Sequence, residues 1–368
     1  MVRPFTSLYV HVPFCEAKCD YCAFYSVDDA TAELRRAYLR GIEREIRTAL
    51  PRCASMESLY VGGGTPSALP AEEMDALLGL VRARLELAQG AEFTVECNPN
   101  SLAPAKVEVL ARHGVNRVSM GVQSFEPRLR RVIGRRGGLD NLQVALDALR
   151  AAGIANIGLD LIYAIPGESV EDWARDLAKA SALAPRHVST YELTVEEGTP
   201  LGRRKLPPAP EELSLEMWRL AGHVLAETGV RRYEVSNLAQ PGCECRHNMD
   251  VWHGATYLGC GPAAAGFDGE ARWANARSLS RWLDGAPPEE DRLPPLKRAA
   301  ELLGLGLRTV RGWRRDEFRE RTGMEYADMR GEILQELAAR GLLELAEDCV
   351  RPTEQGLLFA DYVADRLM

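Results

Sequence analysis

Three cysteines, Cys15, Cys19 and Cys22, fall within eight residues in the stretch HVPFCEAKCDYCAFYS, which begins at His11. Thiolates spaced by three and then two residues wrap three corners of an iron-sulfur cubane and leave the fourth iron without a protein ligand. A metal with an open position is a site for chemistry, by the logic that gives catalytic zinc three protein ligands and a vacancy. Zinc is the competing reading, but it calls for a fourth ligand at finger-like spacing, and the nearest candidates, Asp20 and His11, do not complete that pattern. Iron-sulfur is therefore the expectation for Cys15, Cys19 and Cys22.

Other residues able to do chemistry stand at the ends of apolar runs: Gly63, Gly64 and Thr65 in GGGTP, then Glu96, Gln123, Asp160, Tyr191 and Glu192. Taken singly each has an ordinary reading. GGGTP is a tight turn, Glu96 and Asp160 are loop carboxylates, Gln123 is a strand-end hydrogen-bonder, and Arg135 belongs to the basic run RRVIGRR. The elements around them change that. Between residues 7 and 196 the β-like runs SLYVHV, SLYVGG, EFTVEC, RVSMGV, NIGLDLIY and HVSTYELT alternate with helical patterns such as LRRAYLRGIEREIRTAL and NLQVALDALRAAG. Such alternation predicts an α/β fold with a parallel sheet and right-handed crossovers; six units favour a partial (β/α)6 TIM-like barrel, with a doubly wound sheet as the alternative. Sites in parallel α/β folds lie at the carboxyl ends of the strands, so the cysteine loop and these polar residues are expected on one rim.

The 368 residues carry 45 Lys+Arg against 53 Asp+Glu, a formal charge of -8, which argues against a phosphate-binding surface and a nucleic-acid partner. No run of 18 apolar residues exists, and the start is interrupted by Pro4, His11 and Pro13, so neither a membrane span nor a signal peptide is expected and the protein is read as cytoplasmic. Nine cysteines in a reducing compartment speak against a disulfide framework, and Cys53, Cys97, Cys260 and Cys349 read as packing residues. The Pro-rich stretches RRKLPPAPEE and GAPPEEDRLPP divide the chain into residues 1–205, the barrel, residues 206–290, an irregular Gly, Cys and Trp-rich region, and residues 291–368. The last part reads as a helical, winged-helix-like module; its 12 basic and 14 acidic residues from Leu296 onward favour packing or interaction over DNA binding.

The loop CEAKCDYC, with the aromatic Tyr21 before its last cysteine, resembles the signature of the radical S-adenosylmethionine superfamily. That resemblance implies a 4Fe-4S cluster whose open iron is chelated by S-adenosylmethionine. It also implies a 5'-deoxyadenosyl radical formed with one electron from a reductase or flavodoxin-type donor. The blocks SLYVHVPFC, YVGGGTPS, ECNPNS, GVQSF and LDLIYAIPGE, in order along nearly the full chain, are similar to those of the coproporphyrinogen III oxidase-like branch, which includes the haem chaperones called HemW. The resemblance places Tyr9 and Tyr21 beside the cluster and cofactor, and gives Gly63, Gly64 and Thr65 to the cofactor's methionine end. Glu96, Gln123, Arg135 and Asp160 match the positions that hold the rest of it. No residue is assigned as catalytic.

Oxidases of this branch typically carry a fourth cysteine two residues after the third, and an N-terminal extension; here Phe24 stands at that place and the first strand begins near residue 7. Both point toward the haem chaperones, which bind haem and pass it to a recipient protein; radical chemistry on a porphyrin or porphyrinogen is the alternative. The branch's haem motif is present as HNMDVW, making His247 and Trp252 haem candidates, with Val251 where tyrosine is expected, and GPAAAG has Ala265 where histidine is common. A small metal site among Cys243, Cys245, His247 and His253 is conceivable but follows no standard zinc spacing. His11, His113, His187 and His223 read as structural.

Overall fold

A computed structural model of the chain describes residues 3–368. Its frame is six parallel strands in sequential order, β1 (Phe5–Val12), β2 (Cys53–Gly63), β3 (Leu87–Cys97), β4 (Arg117–Gln123), β5 (Asn156–Tyr163) and β6 (His187–Glu192). Between them run α1 (Ala32–Ala49), α2 (Ala71–Arg84), α3 (Pro104–Arg112), α4 (Pro127–Val132), α5 (Leu142–Ala151) and α6 (Val170–Ala182). The helix starts are written locally: Thr31 caps α1, and Ser169 with Asp172 forms a capping box on α6.

Strand residues alternate between two faces, and here the two faces differ in chemistry. Leu8, Val10, Val12, Leu59, Val61, Phe93, Val95, Val118, Met120, Leu159, Leu161 and Val188 belong to the main core, shared with the helices. The opposite set, including Tyr60, Glu96, Arg117, Ser119, Gln123, Asp160, Ser189 and Tyr191, lines a cavity inside the curved sheet. The hydrophobic core is thus a shell between sheet and helices, and the barrel interior is polar.

The region read as irregular from the sequence instead extends the same sheet. After α7 (Pro200–Arg203) and α8 (Glu211–Ala226), β7 (Arg231–Arg232) pairs antiparallel with β8 (Asn237–Ala239), which in turn adds antiparallel to β6. Past α9 (Arg246–Trp252), β9 (Tyr257–Cys260) pairs parallel to β1, and β10 (Ala265–Phe267), β11 (Arg272–Ala274) and β12 (Glu289–Asp291) continue outward around α10 (Leu279–Leu283). Strands of two to four residues are too short to show an alternating pattern, which is why the sequence hides them. Because β8 and β9 occupy the free edges of β6 and β1, the barrel stays open.

The C-terminal part has its own core of Leu303, Trp313, Phe318, Leu337, Val350 and Leu367. It contains α11 (Pro295–Gly306), β13 (Trp313–Arg314), α12 (Arg315–Thr322), α13 (Tyr326–Ala339), β14 (Leu343–Leu345), β15 (Cys349–Pro352), α14 (Glu354–Leu358) and α15 (Ala360–Leu367). Its three strands form a separate antiparallel sheet in the order β13-β15-β14, as the winged-helix-like expectation requires. Among the described residues no helix is long and apolar enough to cross a membrane.

Candidate functional site

A cavity of about 810 Å³ opens at the carboxyl ends of the six strands and runs into the barrel. The cysteine loop closes one side of its mouth. Cys15 is fixed by its N–H donating to Val27 O at 3.1 Å, and Val27 N–H returns to Pro13 O at 2.6 Å. Asp20 ties the loop to the far rim: its N–H donates to Ile133 O at 3.0 Å and its carboxylate meets Arg204 at 3.1 Å. All three thiols line the cavity. Cys15 Sγ lies 3.7 Å from Thr65 Oγ1, and Arg135 Nη1 donates to Cys19 Sγ at 3.5 Å.

Burial pushes the Cys15 and Cys22 thiols up, so a metal bound there would displace their protons, and the Arg135 cation beside Cys19 would offset the charge that results. Among the described residues no three His, Cys, Asp or Glu side chains converge closely enough for a single ion. A cubane distributes its ligand sulfurs over separate irons, and three thiols lining one mouth are a donor set that fits it.

The turn after β2 is built against the start of this loop. Gly63 has φ +107°, Gly64 N–H donates to Val12 O and Thr65 N–H to Phe14 O, both at 2.8 Å. A Cβ on Gly64 would stand 2.8 Å from those same two carbonyl oxygens. Packing against the end of β1 and the cysteine loop therefore requires glycine here.

Glu96 faces the turn, accepting from Tyr60 Oη at 2.7 Å and from Gly63 N–H at 3.0 Å, and burial raises its pKa. Asp160 accepts from Ser119 Oγ at 2.9 Å. Arg135 is aimed by a bond from Nη2 to Gly121 O at 2.6 Å. Gln123 ends β4 with φ +72°, where the chain leaves the sheet. Together with Tyr21, the residues expected at the cofactor do meet in one cavity, with one exception. Tyr9 lies outside it, its hydroxyl 3.0 Å from His11 Nδ1 and its ring 6.0 Å from that of Tyr60, its register partner on β2. Tyr60 holds the cavity position, and Arg117, Ser119, Ser189, Asn237 and Arg277 also line it without having been singled out. The alternations Ser58-Tyr60-Gly62 and Arg117-Ser119-Gly121-Gln123 carry the signal for the strand residues.

His247 and Trp252 are not brought to the cavity; of their motif only Asn248 lines it. The N-terminus of α9 sits on Glu92, whose carboxylate accepts from Arg246 N–H at 2.9 Å and His247 N–H at 3.1 Å. The His247 ring is buried at 6 % exposure, 5.2 Å from Tyr60 and bonded through Nδ1 to Ser58 Oγ at 3.1 Å; burial pushes it down to about 4, so it is neutral. Trp252 is half-buried under Arg308, 5.2 Å from the guanidinium. Cys245 turns to Glu92, Cys243 packs with Tyr233 and Ala239, and His253 bonds Met249 O and Gly312 O, so CECRHNMDVWH builds no joint metal site.

The loop after β5 carries a pH-dependent element. Glu168 accepts from Ile165 N–H at 2.9 Å in a setting where burial lifts its pKa from 4.5 to about 8. A carboxyl protonated in the folded chain up to about pH 8 stabilises fully below the unfolded value and loses that contribution as pH rises between the two. Glu168→Gln is therefore expected to melt a few degrees above wild type at about pH 8.5 and level with it at about pH 4.5, measured by calorimetry. Parallel melting curves at both pH values would remove this assignment.

Residues 9–180 match the Radical SAM superfamily and residues 293–359 the HemN C-terminal domain. The chain is 33% identical to the heme chaperone HemW of Lactococcus lactis, covering 100% of this chain and 98% of the relative. It is 31% identical to that of Bacillus subtilis, with 97% of each covered, and 33% identical to that of Escherichia coli, with 97% and 96% covered. The solved structure of the coproporphyrinogen III oxidase HemN from Escherichia coli matches at a TM-score of 0.84 and 23% identity, over 100% of this chain and 90% of that one, which shows a shared fold. Radical SAM membership implies a 4Fe-4S cluster and S-adenosylmethionine, and the three thiols at the mouth of the cavity are a donor set that fits the cluster. With relatives at this identity over its whole length, the chain belongs to the heme chaperone HemW family of radical SAM proteins.

Proposed function

We propose that this chain is a haem chaperone, binding haem and passing it to a recipient protein. Phe24 carries the reading: it is 66 % exposed at the cavity mouth, at the place where the oxidases of the branch carry a further cysteine. An exposed aromatic there offers a flat apolar face to a flat apolar ligand, where a cysteine would add another metal-binding thiol. In this reading Cys15, Cys19 and Cys22 hold the cluster, and Gly63, Gly64 and Thr65 the methionine end of S-adenosylmethionine. Glu96, Gln123, Arg135 and Asp160 take the rest, with Tyr21 alongside. The cluster and cofactor supply one-electron chemistry when bound. The chain's own residues orient the cofactor and shield it: Tyr60 and the Gly63 N–H fix Glu96, Ser119 fixes Asp160, and Gly121 O fixes Arg135. All nine cysteines are unpaired, in keeping with a cytoplasmic site of action, and the one electron would come from a donor of the reductase or flavodoxin type.

An anaerobic haem titration of the reconstituted protein, followed at the Soret band, tests the proposal: saturable stoichiometric binding is expected, and no binding overturns it. His247→Ala is expected to keep its haem affinity within about threefold and to lose stability. Ligation through His247 would have to draw a buried neutral ring from among Tyr9, Tyr60 and Tyr257. A loss of tenfold or more would instead show that α9 opens to present it. The second reading, radical chemistry on a porphyrinogen, is favoured by one observation: the cofactor residues are assembled in the cavity while His247 and Trp252 lie outside it. Protoporphyrinogen accumulating from coproporphyrinogen III under anaerobic turnover would decide for that reading.

A further inference from the structure

The cavity is deeper than the cofactor residues need. Along β4 it reaches from Gln123 back to Arg117, which lies two residues, or roughly 7 Å at strand spacing, beyond Ser119, the register partner of Glu96 and hydrogen-bond partner of Asp160. At the closed end Arg117 is 2 % exposed, and its one hydrogen bond is a long one, Nη1 to Thr94 Oγ1 at 3.5 Å. Its Nε is buried with no partner, and among the described residues it forms no ion pair. Glu92 acts on it from a distance, but the Glu92 oxygens are already taken by the backbone N–H groups of Arg246 and His247. A buried guanidinium with most of its five donors unused is costly unless an acceptor fills them.

The neighbouring imidazole, outside the cavity lining, offers it no acceptor. His187, 1 % exposed and lowered in pKa by burial and by Arg117, is neutral. Its Nε2 lies 2.9 Å from Tyr233 Oη, whose oxygen accepts the Cys245 N–H at 3.1 Å. With the tyrosine proton donated to Nε2, the imidazole N–H is on Nδ1, which has no partner. Nδ1 packs against Gly158, where a Cβ would sit 3.1 Å away, and the ring does not line the cavity.

We infer that Arg117 forms an acid-group subsite at the closed end of the barrel, taking the carboxylate of a ligand that lies deeper than S-adenosylmethionine. A buried cation with unused donors lines a cavity whose rim is taken up by the expected cofactor residues, and a carboxylate satisfies it. The carboxylate could belong to a porphyrin propionate, which rests on the haem reading, or to a free small acid, which does not.

The test compares protoporphyrin IX with its dimethyl ester on the reconstituted, S-adenosylmethionine-saturated full chain, wild type against Arg117→Gln, with glutarate as the small acid in a thermal-shift arm. Expected is tighter binding of the free porphyrin than of the ester by about tenfold or more in wild type, falling to parity in Arg117→Gln. Stabilisation by glutarate that disappears in Arg117→Gln, without any porphyrin preference, keeps the subsite, names a free small acid as its source and counts against the haem reading. Equal binding of porphyrin and ester with no glutarate effect overturns the subsite while leaving haem binding intact. A preference that persists in Arg117→Gln also overturns it. If Arg117→Gln fails to fold, Arg117→Lys keeps the charge without the planar fork and is expected to lose part of the preference; full retention again overturns the subsite.

Discussion

Single replacement of Cys15, Cys19 or Cys22 by alanine is expected to strip the reconstituted protein of its brown chromophore, with iron and sulfide falling from about four of each per chain to near zero. The effect should be all or none because, in the proposed site, each of the three thiols holds its own corner of the cluster. Cys15 and Cys22 are half-buried and Cys19 is 8 % exposed, so each substitution removes little packing, and circular dichroism should show the fold retained. Cys53→Ala and Cys349→Ala, far from the cavity, are the controls and should keep full iron content. Unchanged iron and sulfide in the loop variants would end the cluster reading.

The second large effect is expected at the turn after β2. Gly63→Ala places a Cβ 2.4 Å from His11 Nδ1 at a residue with φ +107°. His11 cannot swing away cheaply, since its ring is held at both nitrogens, by Tyr9 Oη at 3.0 Å and Tyr25 O at 2.8 Å. Backbone strain and the clash together should cost about 2–4 kcal/mol of stability. The Gly63 N–H that orients Glu96 moves with the turn, so the dissociation constant for S-adenosylmethionine should rise by about tenfold or more while cluster content is retained. Gly90→Ala is the comparison: φ is +73° there but a Cβ meets nothing within 4 Å, so only the backbone term remains. Wild-type cofactor affinity in a folded Gly63→Ala protein would take the turn out of the cofactor site.

Much of the barrel was legible because each strand carries its own signal. NIGLDLIY is β5 from end to end, and the other five runs fall within their strands or overrun them by at most two residues. What was missed is informative. Strands β2 and β3 begin at Cys53 and Leu87, five residues before their patterned runs, in CASME and LAQGA, and the pairing there passes through a register shift between Met56 and Ser58. The short strands of the middle region are specified by the edges they complete and not by their own residues, as with β9 lying along Ser7–Val10 of β1.

The sequence by itself determined the parts of this protein whose physics is local. Ligand spacing within eight residues defines the cluster loop, and a period of two along each strand separates a polar interior from an apolar shell. Only the tertiary structure decided which of several equivalent residues face the cavity. Tyr9 and Tyr60 are register partners with identical neighbours in sequence, SLYV in both strands, yet Tyr60 lines the cavity and Tyr9 lies outside it. His247 looked available as a ligand until Glu92, 155 residues away, was seen to hold its backbone N–H and so to fix α9 with the ring beneath the tyrosines. Arg117 looked like the first residue of a strand until the partners around it proved to be spoken for. Such outcomes depend on contacts between distant segments, and no periodicity or motif within one segment encodes them.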